Sequence, residues 1–399
     1  MITVADKTKC CGCGACFNIC PKKCIRMKAD DEGFAYPEVN TDLCINCGLC
    51  EKICPIINNN PGNEVKTVYA AGHKSAKIKD LSSSGGMFSL LAEHILNQGG
   101  AVFGAGFDGS WRVRHTYAEN ANDLDNLRRS KYVQSDTGDS FKTAKDFLQS
   151  GRQVLFTGTP CQIAGLKNYL GEDYPNLLTA DIICHGVPSP AVWERFLAET
   201  APASNISAVD FRHKRFGWDA SYLNITLKNG VNLPQACGVF NYCKGFLNRS
   251  KGKLFRLIYR LPYTISNMYE RPSCHACAFK GKRKYADFTM ADLWGVKEVM
   301  PDMYDEKGVS LLMVNSAKAE AAFKDLAVNL LYKDISLEAA SKYNPYFLRS
   351  TSPSPCREEF FKSFRKGESF YKIMSRYKRR GVKGLLIKLL RFAGGAKIL

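Results

Sequence analysis

The sequence predicts a small α+β unit joined to a mixed α/β domain and followed by a basic helical tail. Three observations predict this. Cysteines open the chain in two runs of equal spacing, both inside the first sixty residues. Strand-like and helix-like apolar patterns then alternate from residue 68 to residue 184, as they do where crossover helices cover a sheet. Basic charge gathers at the far end: residues 356–399 hold a net +10 of the chain's +18, whereas residues 1–62 are neutral. The expected boundaries are therefore 1–62, 63–350 and 351–399.

Composition narrows the classes. A chain of 399 residues exceeds one ordinary domain, and 45% hydrophobic residues supply ample core. The first nine residues are polar, with Asp6, Lys7 and Lys9, so no secretion signal is expected. The apolar runs are too short to span a membrane. Seventeen cysteines in such a chain argue for metal ligation in a reducing, cytoplasmic setting and against a disulfide framework.

The first unit is justified by its spacing. Both runs contain C-x2-C-x2-C-x3-C-P: Cys10, Cys13, Cys16, Cys20, Pro21, then Cys44, Cys47, Cys50, Cys54, Pro55. Three thiolates on one short loop can hold three irons of a 4Fe-4S cluster, and the fourth, before proline, reaches the other cluster. The expected sets are Cys10, Cys13, Cys16 and Cys54, and Cys44, Cys47, Cys50 and Cys20. Zinc would call for two C-x2-C pairs set well apart. The segment resembles a bacterial two-cluster ferredoxin domain. Cys11 and Cys24 fall out of phase and are expected to be bystanders. NNNPGNE, residues 58–64, has the composition of a linker.

The second unit is justified by alternation. Strands are expected at VYAAGH (68–73), AVFGAGF (101–107), VLFTG and LLTADIIC (177–184). Helices are expected at SSSGGMFSLLAEHILNQGG (82–100), capped by serine, at DSFKTAKDFLQSG (139–151) and at QIAGLKNYL. The result would be a mostly parallel sheet. Gly104, Gly106 and Gly109 form a formal GxGxxG, but a strand-like WRVRHTY follows where a dinucleotide site needs a helix. SSSGG enters a helix N-terminus, which suits either phosphate binding or plain N-capping. Thr157, Gly158 and Thr159 also suggest a phosphate loop, without the Lys-Ser/Thr ending of a P-loop. These three are expected beside a cofactor.

That loop runs into Cys161. Cys184 ends the next expected strand, and adjacent parallel strands would bring both thiols to one carboxyl edge, where α/β sheets place ligands. CHAC supplies Cys274 and Cys277 ahead of another strand-like run, KYADFTMADLWG. Four cysteines in three segments can hold a third cluster. Alternatively, the single thiols are small buried hydrophobes and the C-x2-C pair is a zinc or redox pair.

A family resemblance bears on this choice. TGTPCQIAGL, IICHGVPSP, CHACAFKGKRKYADFTMADLWG, SSSGGMFSLL and RRSKYVQS together resemble the coenzyme F420 hydrogenase/dehydrogenase beta-subunit family over roughly residues 65–300. The resemblance implies FAD and a 4Fe-4S cluster, with Cys161, Cys184, Cys274 and Cys277 as the ligands. It implies that Ser84, Gly85 and Gly86 lie near FAD and that Lys131 and Tyr132 line the pocket. The hydrogenase form lacks the fused two-cluster segment, and related chlorophyll-pathway reductases share the flavin domain but use another substrate. The resemblance therefore bears on cofactors more than on substrate.

The remaining segments are less informative. SYLNITLKNG (221–230) suggests a hairpin arm. Cys237 and Cys243 have no partner spacing and are expected to be buried. Among the histidines His73, His115, His213 and His275 are expected to be structural, and His185 draws notice only as the neighbour of Cys184. In the tail, Lys388 and Arg391 punctuate Leu385, Leu386, Leu389, Leu390 and Phe392, a basic amphipathic helix. It could dock on a partner, lie on an anionic membrane surface, or pack on the body.

The expected function is that of an iron–sulfur flavin-dependent oxidoreductase, exchanging electrons between ferredoxin-type clusters and FAD to reduce or oxidise an organic substrate or deazaflavin-type coenzyme. Its expected partners are a redox protein such as ferredoxin, or another oxidoreductase subunit. The alternative is an electron-transfer adaptor with no substrate site of its own. Nucleic acid is not an expected partner, because no helix-turn-helix, zinc-finger or RRM signature accompanies the basic charge.

Overall fold

The computed structural model describes residues 1–60, 62–234 and 267–377. In the first unit β1 (Ile25–Ala29) and β2 (Ala35–Val39) pair antiparallel. The short helices α1 (Ala15–Ile19) and α2 (Leu49–Lys52) carry Cys16 and Cys50. The two cysteine loops share a backbone. Gly12 and Asn46 have φ of 68° and 51°, and the helix-capping Gly14 and Gly48 have φ of 76° and 73°. These left-handed positions fold successive N–H groups toward the loop interior, a concavity suited to an anionic cluster.

The chain continues with β3 (Asn63–Glu64), β4 (Thr67–His73), β5 (Ala101–Phe107), β6 (Val113–Ala118), β7 (Val154–Thr157), β8 (Leu177–Ile182), β9 (Ile206–His213), β10 (Tyr222–Leu227), β11 (Asn232–Pro234), β12 (Arg283–Lys284), β13 (Phe288–Asp292), β14 (Ser310–Val314) and β15 (Leu330–Asp334). Its main sheet has the order β15-β4-β14-β13-β8-β7-β5-β6. The four strands β13, β8, β7 and β5 are parallel. The flanking pairs are antiparallel, so the sheet is mixed rather than mostly parallel. One reason is local: residues 108–111 turn tightly, with the Trp111 amide donating to the Asp108 carbonyl, and return β6 directly onto β5. A direct return of that kind gives antiparallel pairing. The dinucleotide fingerprint fails as the sequence suggests, because Gly104 and Gly106 lie inside β5.

Helices cover both faces, as parallel strands require. They are α3 (Ala76–Asp80), α4 (Met87–Leu96), α5 (Ala121–Leu127), α6 (Ser140–Gln149), α7 (Pro160–Leu170), α8 (Pro190–Thr200), α9 (Ala317–Leu326) and α10 (Arg357–Arg365). Val102 and Leu155 pack with α4 and α9 on one face, and Phe103 and Phe156 pack with α6 and α7 on the other. This is the two-residue period of a strand expressed in burial. The hairpin expected at 221–230 is present as β10 and β11.

The cysteine-rich unit shares its core with the body. Phe34 and Tyr36 pack with Trp193, Phe196 and Phe360, while Cys11, Cys13 and Ala15 pack with Phe141 and Ile163. The beginning of the basic tail is also core: α10 and residues 370–377 bury Phe360, Phe361, Phe370 and Ile373. The amphipathic stretch around Lys388, together with Cys237 and Cys243, lies outside the described residues. Among the described residues no helix is long and apolar enough to cross a membrane.

Candidate metal and cofactor sites

In the first unit the structure carries one cysteine across to the opposite loop, as the crossed sets would require. Cys20 lines one small cavity with Cys44, Cys47 and Cys50, although it belongs to the other loop. Cys16 faces Cys10 and Cys54, and burial first, then these neighbouring thiols, push it up to about 12. Despite its burial, Cys20 is held below the ordinary thiol value by the Cys24 amide and thiol and by the Lys22 and Ile25 amides. Donors gathered on one sulfur are what a thiolate ligand needs. The Cys24 sulfur lies 3.3 Å from that of Cys20.

The first loop is fastened to the body. Arg271, fully buried, donates to the carbonyls of Cys10 at 2.8 Å and Ala35 at 3.0 Å and to the Gln134 side chain at 3.0 Å. Gln134 in turn donates to the Cys11 carbonyl at 3.1 Å, and Thr137 to the Cys13 carbonyl at 3.1 Å. α7 offers a notch to this loop: a Cβ at Gly165 would stand 2.9 Å from the Cys13 sulfur.

α7 begins earlier than the sequence suggests. Pro160 occupies its first turn, and Thr159 and Gln162 close a capping box. Cys161 therefore sits inside the first helical turn and not in a loop. β7 and β8 are adjacent and parallel, with Thr157 opposite Ala180, and β13 lies beside β8. Cys184 follows β8, and the turn of residues 272–276 brings Cys274 to the same edge. Cys161, Cys184, Cys274 and Cys277 all line one cavity of about 490 Å³. They perturb one another: burial first, then Cys161 and Cys277, push Cys184 up to about 12, and burial with Cys184 and Cys161 raises Cys274. Among the described residues no three His, Cys, Asp or Glu side chains converge tightly enough for a single ion. A cubane spreads its ligands over four iron corners, so its thiols need not converge on one point.

The same cavity is lined by Ser84, Gly86, Lys131, Tyr132, Thr157, Gly158 and Thr159. Gly85 does not line it. Its amide donates to Ser310 Oγ at 2.9 Å and its carbonyl accepts from His73, which pins the loop against β14. This tie also corrects the capping of α4. The cap is Gly86, at φ 98°, and no serine side chain caps the helix. Ser84 Oγ donates instead to the Val309 carbonyl at 3.0 Å.

The cavity fits a flavin dinucleotide by size and charge. Cofactor clefts run about 300–1,000 Å³, and this one opens at the carboxyl edge of parallel strands. Arg129, Lys131, Arg212, Lys280 and Lys284 line it against Glu270 and Asp292. Burial pushes Lys131 down to about 7. Its ammonium donates to the carbonyls of Asn126 at 2.6 Å and Arg128 at 2.7 Å. Arg212 is buried, pairs with Asp292 at 2.6 Å, and leaves its Nε without a partner. Trp218 donates to the other Asp292 oxygen at 2.8 Å. His185 shares a 2.8 Å hydrogen bond with buried Glu270, which also accepts from Thr351 at 2.7 Å.

Residues 9–57 match the model of a 4Fe-4S dicluster domain, and residues 151–337 match that of the C terminus of the coenzyme F420 hydrogenase/dehydrogenase beta subunit. Over residues 151–337, just under half of its length, the chain is similar to the F420 hydrogenase/dehydrogenase beta-subunit family. It is an iron–sulfur electron-transfer protein related to that beta subunit, with its dicluster domain placed first. Among solved structures it is similar to a chain of the F420-reducing NiFe hydrogenase complex from Methanosarcina barkeri, derivatised with xenon. The identity is 15% and the TM-score 0.47, over 71% of this chain and 89% of that one. No curated protein matches it.

Several residues of the cavity and of the first loop's anchorage were not expected from the sequence. Asp292 had a signal, since it ends a strand at the ligand-bearing edge. Arg212 and Arg271 had none, because each acts through partners far away in the chain. The bystander thiols prove to have company: Cys24 touches Cys20, and Cys11 lines the cavity with Cys161 and shares its packed cluster.

Proposed function

We propose that this protein is an iron–sulfur flavoenzyme that exchanges electrons between a redox partner and a small organic substrate or deazaflavin-type coenzyme, in a reducing, cytoplasmic setting. One observation carries the proposal. Cys161, Cys184, Cys274 and Cys277 and, except for Gly85, the residues expected around FAD line a single cavity at the carboxyl edge of the parallel strands. When bound, the clusters supply single electrons and the flavin supplies two-electron chemistry.

The chain's own residues would divide the work as follows. Cys10, Cys13, Cys16 and Cys54 hold one dicluster site, and Cys44, Cys47, Cys50 and Cys20 the other. Cys161, Cys184, Cys274 and Cys277 hold the third. Ser84, Gly86 and Thr159 offer hydroxyl and backbone groups to a phosphate, beside the N-terminus of α4. Gly85 positions that loop through Ser310. Lys131 and Arg212 supply positive charge to an anionic cofactor or substrate, and Tyr132, 3.3 Å from Arg212, keeps the guanidinium in place. Met290, Trp294, Tyr346 and Phe347 form apolar wall that excludes water. The partner would meet the second dicluster loop, where Cys47, Leu43 and Ile45 are exposed.

Iron, acid-labile sulfide and flavin content of anaerobically prepared protein test this directly. About twelve irons and one FAD per chain are expected. About eight irons would empty the third site of its cluster. Full iron without flavin would leave an adaptor subunit that relays electrons to a partner holding the substrate.

A further inference from the structure

Two cysteines of the first unit stand outside the ligand spacing, and neither is idle. Cys24 is buried at the start of β1, with its sulfur 3.3 Å from that of Cys20. Cys11 is buried between the first loop and α7, packed in the same cluster of side chains as Cys161. Neither position is accidental. The Asn40 amide donates to the Cys24 carbonyl, fixing the strand start. Gln134 holds the Cys11 carbonyl, and Arg271 holds the residue before it. Gly12 follows with φ of 68°, and a Cβ there would stand 2.7 Å from Arg271. Cys11 is thus aimed at α7 by a loop with little room to move. The equivalent position in the second loop is Ile45, which is exposed. Cys161 has a second polar neighbour as well, Thr159 Oγ1 at 3.1 Å.

A cluster's potential depends on hydrogen bonds to its sulfurs, because a donor stabilises the more negative reduced state. A thiol is a weak donor of this kind. We propose that Cys11 and Cys24 are potential-tuning residues that donate S–H hydrogen bonds to the ligand sulfurs of Cys161 and Cys20, raising the potentials of the third cluster and the second dicluster cluster respectively. Cys11 gives the arrangement a further consequence. It belongs to the dicluster domain yet acts on a cluster held by the body, so it ties the third cluster's potential to correct seating of the first loop. The inference rests on the three-cluster assignment made above.

The test is a redox titration followed by electron paramagnetic resonance, on full-length protein prepared anaerobically. Cys161→Ala identifies the signal of the third cluster by its loss. Cys11→Ala is expected to keep all the iron and to move only that signal to lower potential, and Cys11→Ser, which restores a donor, to move it back toward the native value. Cys24→Ala is expected to lower only the potential of the cluster held by Cys20. Unchanged potentials at full iron content would overturn the proposal. So would loss of about four irons in Cys11→Ser, because Cys11 would then be a ligand. If the unsubstituted protein holds only about eight irons, the three-cluster assignment itself fails, and the Cys11 role with it, whereas the Cys24 role is still decided by its own titration.

Discussion

The two cysteine loops have the same spacing and nearly the same backbone, yet they live in different surroundings. At Gly14 and Gly48 the φ angles differ by only a few degrees. A Cβ at Gly14 would meet Thr137 Oγ1 at 2.3 Å, whereas one at Gly48 would meet nothing within 4 Å. Cys11 and Cys13 are buried against α7, whereas Ile45 and Cys47 are exposed. One local code therefore serves two tasks. The spacing makes a ligand loop, and the flanking residues decide whether that loop faces the body or the solvent. In the proposed function the inner loop would exchange electrons with the cavity, and the outer loop with a partner.

The comparison is broken most severely at the cavity end. Cys161→Ala removes a thiol that the inner loop leans on, and we expect loss of about four of twelve irons while the dicluster iron stays. Iron analysis with the resonance spectrum checks this. Loss of dicluster iron as well would mean that the two sites do not fill independently.

Next in size is Arg271→Ala. It strips the Cys10 and Ala35 carbonyls and Gln134 of a buried charged donor. The cost should be on the order of 3 kcal/mol or more. Anaerobic urea denaturation measures it. Arg26→Ala, at an exposed pair with Glu38, should cost less than about 1 kcal/mol.

Gly14→Ala and Gly48→Ala sharpen the comparison further, because the backbone strain is common to both. Gly48→Ala should cost about 1 kcal/mol from the left-handed φ alone. Gly14→Ala adds a clash with Thr137 and should cost about 2 kcal/mol more. Equal denaturation midpoints would show that the inner loop is not pressed on the body.

These contrasts also explain what the sequence could reveal. The ligand sets were legible because each loop packs its thiols into eleven residues with fixed spacing, a pattern that survives without tertiary context. β7, β8 and β13 were legible because buried parallel strands are apolar runs. From there the sheet-edge rule was enough to anticipate that Cys161 and Cys184 share an edge, whereas adding Cys274 and Cys277 took the C-x2-C spacing and the family resemblance. The failures have a common cause. SSSGG looks like a serine cap locally, but Ser310 and Val309 on the β14 side bind that loop and leave Gly86 to cap the helix. Cys11 looks idle by spacing, and only the packing of α7 against the first loop gives it a neighbour. Arg271 lies 261 residues from Cys10, and no window of sequence contains that hydrogen bond.

The smallest effect concerns pH, and it contrasts the cavity with the outer surface. Lys131 is pushed by burial down to about 7, well below the roughly 10.4 of an unfolded lysine. Between these values the unfolded chain binds a proton that the folded chain does not, so stability should rise with pH across that window. Below about 7 both states are protonated and the buried charge weakens the fold in full. Lys131→Met should therefore stabilise the protein more at pH 6 than at pH 9, as read from denaturation midpoints without added flavin. It should also weaken flavin binding, because the cavity loses a positive charge. At the outer surface partly exposed Glu38 is held low by Lys28 and Arg26, and Glu38→Gln should leave the slope between pH 6 and pH 9 unchanged. If Lys131→Met left both the slope and flavin affinity as they were, Lys131 would face solvent rather than the cofactor. The positive lining of the cavity would then rest on Arg129, Arg212, Lys280 and Lys284.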